Sequence, residues 1–81
     1  MNMNRDIEAS VKATMADILA IEADTINANT ARDTTPGWDS ANHLTLMLSL
    51  EEEFGITFEV TELESMFTYA DIIQCLESHL S

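Results

Sequence analysis

The stretch Gly37-Trp38-Asp39-Ser40-Ala41-Asn42-His43, continuing through Leu44-Thr45-Leu46-Met47-Leu48-Ser49-Leu50 to Glu51-Glu52-Glu53-Phe54, admits two readings. The choice between them decides the fold. Leu44, Leu46, Leu48 and Leu50 alternate as a half-buried strand would. The flanks favour a helix, because Asp39 is a capping residue, three glutamates follow, and Gly and Pro are absent from Asp39 to Phe54. On a helix with about 100° between residues, the apolar positions, counting His43, cover an arc of roughly 220°, about twice what one buried face needs. Leu46, Met47, Leu50 and Phe54 are therefore assigned to the core. Ala41, Leu44 and Leu48 form a partly exposed strip beside Ser40, suited to a partner protein, and Glu51 falls inside the same arc. Flexible, polarisable Met47 suits the boundary where an apolar chain would pack.

Ser40 stands where a loop carrying Pro36 and Gly37 gives way to this helix. The first turn of a helix leaves backbone N–H groups without partners, and with the macrodipole they favour an anion by about 0.3 to 1 kcal/mol at an exposed site. A phosphate on Ser40 fits this position. A plain cap at Asp39-Ser40 fits it as well, and on the local pattern alone the cap is the expectation.

The whole chain has 81 residues, one domain's worth, with a stability of about 4 to 12 kcal/mol expected for its size. That leaves no room for a deep catalytic cleft and its supporting shell, so a small carrier or binding module fits better than an enzyme. Three Lys or Arg against fifteen Asp or Glu give a formal charge of −12, and Arg32 is the last strong base. Such a field repels nucleic acid and anionic membranes and draws in basic partners. Cys75 is the single cysteine, so no internal disulfide forms. No apolar run approaches a membrane span and the N-terminus has no apolar leader, so a cytoplasmic protein without membrane insertion is expected. The absence of a Pro- or Ser-rich linker at either end leads us to expect a free-standing protein, and a monomer.

A first helix is predicted from about Arg5 to Ala20, with Asn4 as its cap, Asp6 and Glu8 in its first turn, and Ile7, Val11, Met15, Ile18 and Leu19 on one face. From Glu22 to Trp38, turn-forming residues predominate and Ile26 is the apolar anchor of a long loop. Trp38 either covers the top of the core or stands exposed beside Ser40; the former is the expectation. After Gly55, Ile56 to Val60 reads as extended. Thr61 with Glu64 makes a capping-box pattern for a short third helix, and Thr68 caps a fourth in which Ile72, Ile73, Leu76 and Leu80 repeat at helical spacing. Cys75 lies beside that stripe as a small buried hydrophobe. His43 and His79 are too few and too far apart in sequence to suggest a zinc site, so no metal is expected. A Ser40–His43 pair lacks the third group that nucleophilic catalysis needs, and no catalytic residue is assigned.

The frame Gly37-x-Asp39-Ser40, then Leu44, Leu46 and Leu50, then Glu51-Glu52-Glu53-Phe54-Gly55-Ile56 and Phe58, resembles the acyl carrier protein family. The resemblance runs more weakly to both ends, covering 1–81 as a single acyl-carrier-like domain. It implies an all-α, small four-helix bundle with a long first loop and a short third helix. It implies 4'-phosphopantetheine attached covalently to Ser40, with Asp39 supporting, by a separate phosphopantetheinyl transferase. It also implies docking by Ala41, Leu44, Leu48, Glu51 and Glu52 on basic patches of acyl-transferring and synthase enzymes of fatty-acid, polyketide or related biosynthesis. A peptidyl or aminoacyl carrier, and an acidic helical interaction module without a prosthetic group, are the alternatives. Ala41, Asn42, Thr45, Trp38 and His43 depart from the pattern usual for housekeeping fatty-acid carriers, which points to a specialised member.

Overall fold

The computed structural model describes residues 3–80, with side chains described from Ile7 onward. Four α-helices account for most of it: α1 (Met3–Leu19), α2 (Ser40–Phe54), α3 (Val60–Ser65) and α4 (Tyr69–Leu80), with one 3-10 turn at Ala23–Thr25 inside the first loop. The expected all-α architecture, long first loop and short third helix are all present. Helix α1 is the spine, packed against both α2 and α4. It begins at Met3, so Asn4 lies inside the helix and is not its cap; the side chains of Asn4 and Asp6 lie outside the described ones.

The core follows the apolar stripes. Ile7, Val11, Met15 and Leu19 come from α1, Leu46, Met47 and Leu50 from α2, and Ile72 and Leu76 from α4, all buried. Ile18, Phe54, Ile73 and Leu80 pack around them half-buried. Between helices, Ile26, Trp38, Phe58 and Met66 plug the gaps. Phe58 is buried between exposed Thr57 and Glu59, as the extended reading of that segment requires.

The helix ends show how the chain turns. Beyond α1, Ile21 N–H reaches back to Ala16 C=O at 3.1 Å, and Ala20 between them takes a left-handed φ of 57°. The same closure ends α2, where Gly55 has φ 67° and Ile56 N–H meets Glu51 C=O at 3.1 Å. Helix α3 starts two residues earlier than expected: its capping box pairs Glu59 with Glu62, not Thr61 with Glu64. Helix α4 is capped as expected, with Thr68 Oγ1 accepting from Asp71 N–H at 3.1 Å and the Asp71 carboxylate accepting from Thr68 N–H at 3.2 Å.

The first loop is tied down in its middle. Ala31 and Thr68 form an isolated antiparallel bridge, with Tyr69 N–H on Thr30 C=O at 2.8 Å and Arg32 N–H on Phe67 C=O at 2.9 Å. The Arg32 guanidinium also lies 5.7 Å over the Phe67 ring. Gly37 then settles against the end of α1. With φ at 90°, a Cβ there would lie 3.1 Å from Leu19 C=O, so only glycine brings the chain this close.

The candidate attachment site at the start of helix α2

Ser40 is the first residue of α2 and is exposed. Its hydroxyl has no hydrogen-bond partner among the described residues. Asp39 is the cap. Its backbone is extended, its Oδ1 accepts from Asn42 N–H at 2.8 Å, and its C=O takes the first helical bond from His43 N–H, also at 2.8 Å. Asn42 adds a contact that residue types alone did not suggest: its Nδ2 donates to Gly37 C=O at 2.6 Å. The turn before Ser40 is thus held from α1 by the Gly37 approach and from α2 by Asn42. With no acid in the first turn of α2, the positive end of the helix dipole is uncompensated there except by Asp39.

Trp38 and His43 both belong to the core, 3% and 7% exposed, which settles the two readings of Trp38 in favour of the covered one. Trp38 Nε1–H donates to His43 Nδ1 at 3.0 Å, and the rings stack with centroids 6.1 Å apart. On its other side His43 Nε2 meets Leu63 C=O at 3.0 Å. An acceptor at Nδ1 and a donor at Nε2 define one neutral tautomer. Burial lowers the His43 pKa from the ordinary histidine value, the Leu63 bond opposes this, and Arg32 adds to the lowering. Both ring nitrogens are therefore taken, and His43 is no base for Ser40. The chain Trp38–His43–Leu63 instead ties the loop before the serine, α2 and α3 together.

The remaining predicted site residues spread along α2. Ala41 is exposed, and Leu44 and Leu48 are 53% and 56% exposed, so the apolar strip beside Ser40 exists; Val60, 69% exposed, stands at the start of α3. Met47 is fully buried, in the core and not at a boundary. The glutamate run is used partly from within. Glu51 Oε2 accepts from Phe58 N–H at 2.7 Å, and the Glu53 carboxylate accepts from Thr14 Oγ1 at 3.1 Å. Glu52 faces solvent beside Ser49.

Elsewhere, Cys75 is half-buried with its thiol directed at Glu62, and burial with that carboxylate pushes its pKa up to about 12. Tyr69 is raised to about 12, by burial and by Glu8. Neither side chain ionises on its own at neutral pH.

An exposed serine hydroxyl at the head of a capped helix is the arrangement of a protein that presents a group to others. A sequence model of the family described as PP-binding, phosphopantetheine attachment site, matches residues 9–76. The chain belongs to this phosphopantetheine attachment family. Membership implies a covalently attached 4'-phosphopantetheine, a carrier that is not itself catalytic, and interaction with phosphopantetheinyl transferases and synthase enzymes in general. Among the described residues no helix is long and apolar enough to cross a membrane.

Proposed function

We propose that the protein is an acyl carrier whose 4'-phosphopantetheine is attached to Ser40, and that it presents acyl intermediates as thioesters to biosynthetic enzymes. The observation that carries this reading is the Ser40 hydroxyl: exposed, unengaged among the described residues, and fixed at the N-terminus of α2 by a cap and an anchored turn. The fit to the prosthetic group rests on the same geometry, since a phosphodiester there lies at the positive end of the helix dipole.

The chemistry of attachment belongs to the transferase; the chain's part is positional. Asp39 holds the first turn closed while leaving the serine outward. Ala41, Leu44 and Leu48 offer an apolar landing strip, and Glu52 faces a basic patch on the partner. Glu51, already held to Phe58 N–H, adds its charge to that surface. A thioester on a long arm gains a high effective concentration at whichever active site the domain docks on. Ala41, Asn42 and Thr45 favour a specialised member of fatty-acid, polyketide or related pathways, and we take it to be cytoplasmic and monomeric.

The test is the intact mass after incubation with coenzyme A, Mg²⁺ and a broad-specificity phosphopantetheinyl transferase, with Ser40→Ala alongside. One arm-sized increment that vanishes in the variant is expected. An increment that persists in Ser40→Ala moves the attachment point elsewhere. A holo form that accepts aminoacyl groups and no acyl groups overturns the acyl assignment in favour of the peptidyl alternative.

A further inference from the structure

Three side chains with metal-binding atoms converge between α3 and α4. Cys75 Sγ lies 3.3 Å from Glu62 Oε2, His79 Nε2 lies 2.9 Å from Glu62 Oε1, and the three ligand atoms fall within 4.8 Å of one another. Cys75 and His79 are one turn apart on α4, so both project from the same face. Glu62 is thirteen residues from Cys75 in sequence and is brought in by α3.

The cluster is built, not incidental. Glu62 Oε1 also accepts from Glu59 N–H at 2.8 Å, the capping-box bond that starts α3, so its carboxylate is oriented by the backbone. The edge of the Phe58 ring meets His79, with centroids 5.6 Å apart and planes at 84°, and fixes the imidazole from the other side. An outer layer of this kind is what orients ligands at protein metal sites. Beside the cluster an open cavity of about 320 Å³, reached past Ser65, Gln74 and Ser78, leaves room for a further ligand.

We propose that Glu62, Cys75 and His79 form a site for one borderline-soft divalent cation of the zinc class, with water from the adjoining cavity as fourth ligand. A sulfur, an imidazole nitrogen and a carboxylate oxygen are the donor set that zinc takes, and hard cations such as Mg²⁺ prefer oxygen alone. In a tetrahedral zinc site, neighbouring ligand atoms stand about 3.4 to 3.6 Å apart, so the cluster needs an adjustment on the order of 1 Å. On binding, the Cys75 S–H bond breaks and its proton goes to solvent. Any proton on His79 Nε2 gives way with it, to Nδ1 or to water, and the cation bonds Sγ, Nε2 and Glu62 Oε2. The thiol proton leaves for each cation bound, and nothing is oxidised or reduced. The cation then bridges α3 to α4.

A chain of net charge −12 attracts cations to its carboxylates in general, so the test reads sulfur ligation. In the Ser40→Ala chain, Cys75 is the sole thiol, whether or not a prosthetic arm would otherwise be present. Titration with Co²⁺ should produce a thiolate-to-cobalt charge-transfer band in the near ultraviolet that saturates at one equivalent. Zn²⁺ should abolish it and excess Mg²⁺ should not. Adding Cys75→Ser should remove the band. Cys75→Ser and His79→Gln should each weaken Zn²⁺ binding by about 100-fold or more, since losing even an outer-layer partner costs roughly 10- to 100-fold. Circular dichroism checks that both variants keep their helices. No band with Co²⁺, or Zn²⁺ affinity unchanged in folded Cys75→Ser, would overturn the proposal and leave exposed carboxylates as the binding groups.

Discussion

Replacing His43 by Phe keeps an aromatic ring of similar size in the core and removes both hydrogen bonds of the Trp38–His43–Leu63 chain. The indole N–H of Trp38 is then buried with no acceptor, at a cost of about 1 to 3 kcal/mol. Leu63 is only half-buried and water can reach its carbonyl, so losing that bond costs about 0.5 to 1.5 kcal/mol. The sum, about 1.5 to 4.5 kcal/mol, is a large part of the roughly 4 to 12 kcal/mol expected for the domain. Urea unfolding followed by the fluorescence of Trp38, the single tryptophan, and by circular dichroism measures it. Acidification supplies a second arm. Protonated His43 would turn an N–H toward the Trp38 N–H across 3.0 Å, and burial lowers its native pKa. The unfolded chain therefore binds this proton more readily. The stability His43 contributes is complete above the unfolded value of 6.5 and is lost as pH falls below it through the lower native value. The gap between wild type and His43→Phe should thus narrow as pH falls below the unfolded value of 6.5. A loss below about 1 kcal/mol together with a gap that does not change with pH would refute the reasoning.

Five other outcomes are expected. Ala20→Gly should stabilise the fold by about 1 kcal/mol by relieving the left-handed backbone after α1, and Gly55→Ala should destabilise it by a similar amount although its Cβ meets nothing within 4 Å; melting curves decide both. Asp39→Ala should lower stability by about 0.5 to 2 kcal/mol through loss of the cap, with helix content otherwise kept by circular dichroism. Leu48→Glu, on an exposed position, should slow phosphopantetheine transfer severalfold at an unchanged melting temperature; a full rate would remove Leu48 from the docking strip. Because every strongly charged residue after Arg32 is acidic, the melting temperature should rise with added salt, and a flat response would show that self-repulsion is small.

Much of the fold was legible because each helix carries its own punctuation. Helix α2 could be read against the alternating leucines since Asp39 and Gly55 mark its two ends, and both act there as cap and left-handed stop. The α3 start was misplaced because threonine is a better N-cap than glutamate, yet Glu59 is the residue whose side chain finds the N3 N–H while Glu62 reaches back. Composition showed the acidity of Glu51 and Glu53 but not that Phe58 N–H and Thr14 Oγ1 would claim them, since those partners come from other segments. The same limit hid the Trp38–His43 bond, where the chain passes from loop to helix. It also hid the meeting of Glu62 with Cys75 and His79, which exists only because α3 folds back on α4. The place of Ser40 at the start of α2 was readable from the change of loop into helix, and the Asn42 clamp on Gly37 C=O was not.

The bridge between Ala31 and Thr68 changes what the long first connection is. Topologically it is two short loops hinged on a fixed point, one running from the end of α1 to Thr30 and the other from Arg32 to Asp39. Lengthening either one adds only a slowly growing closure entropy, about 0.6 kcal/mol for each doubling. Exposed positions such as Asn27 to Asn29 and Asp33 to Thr34 should therefore accept inserted residues, a label or an epitope. The hinge itself should not. An insertion at Ala31 would pull Thr30 C=O from Tyr69 N–H and disturb the first turn of α4, so this small span sets where the domain can be extended.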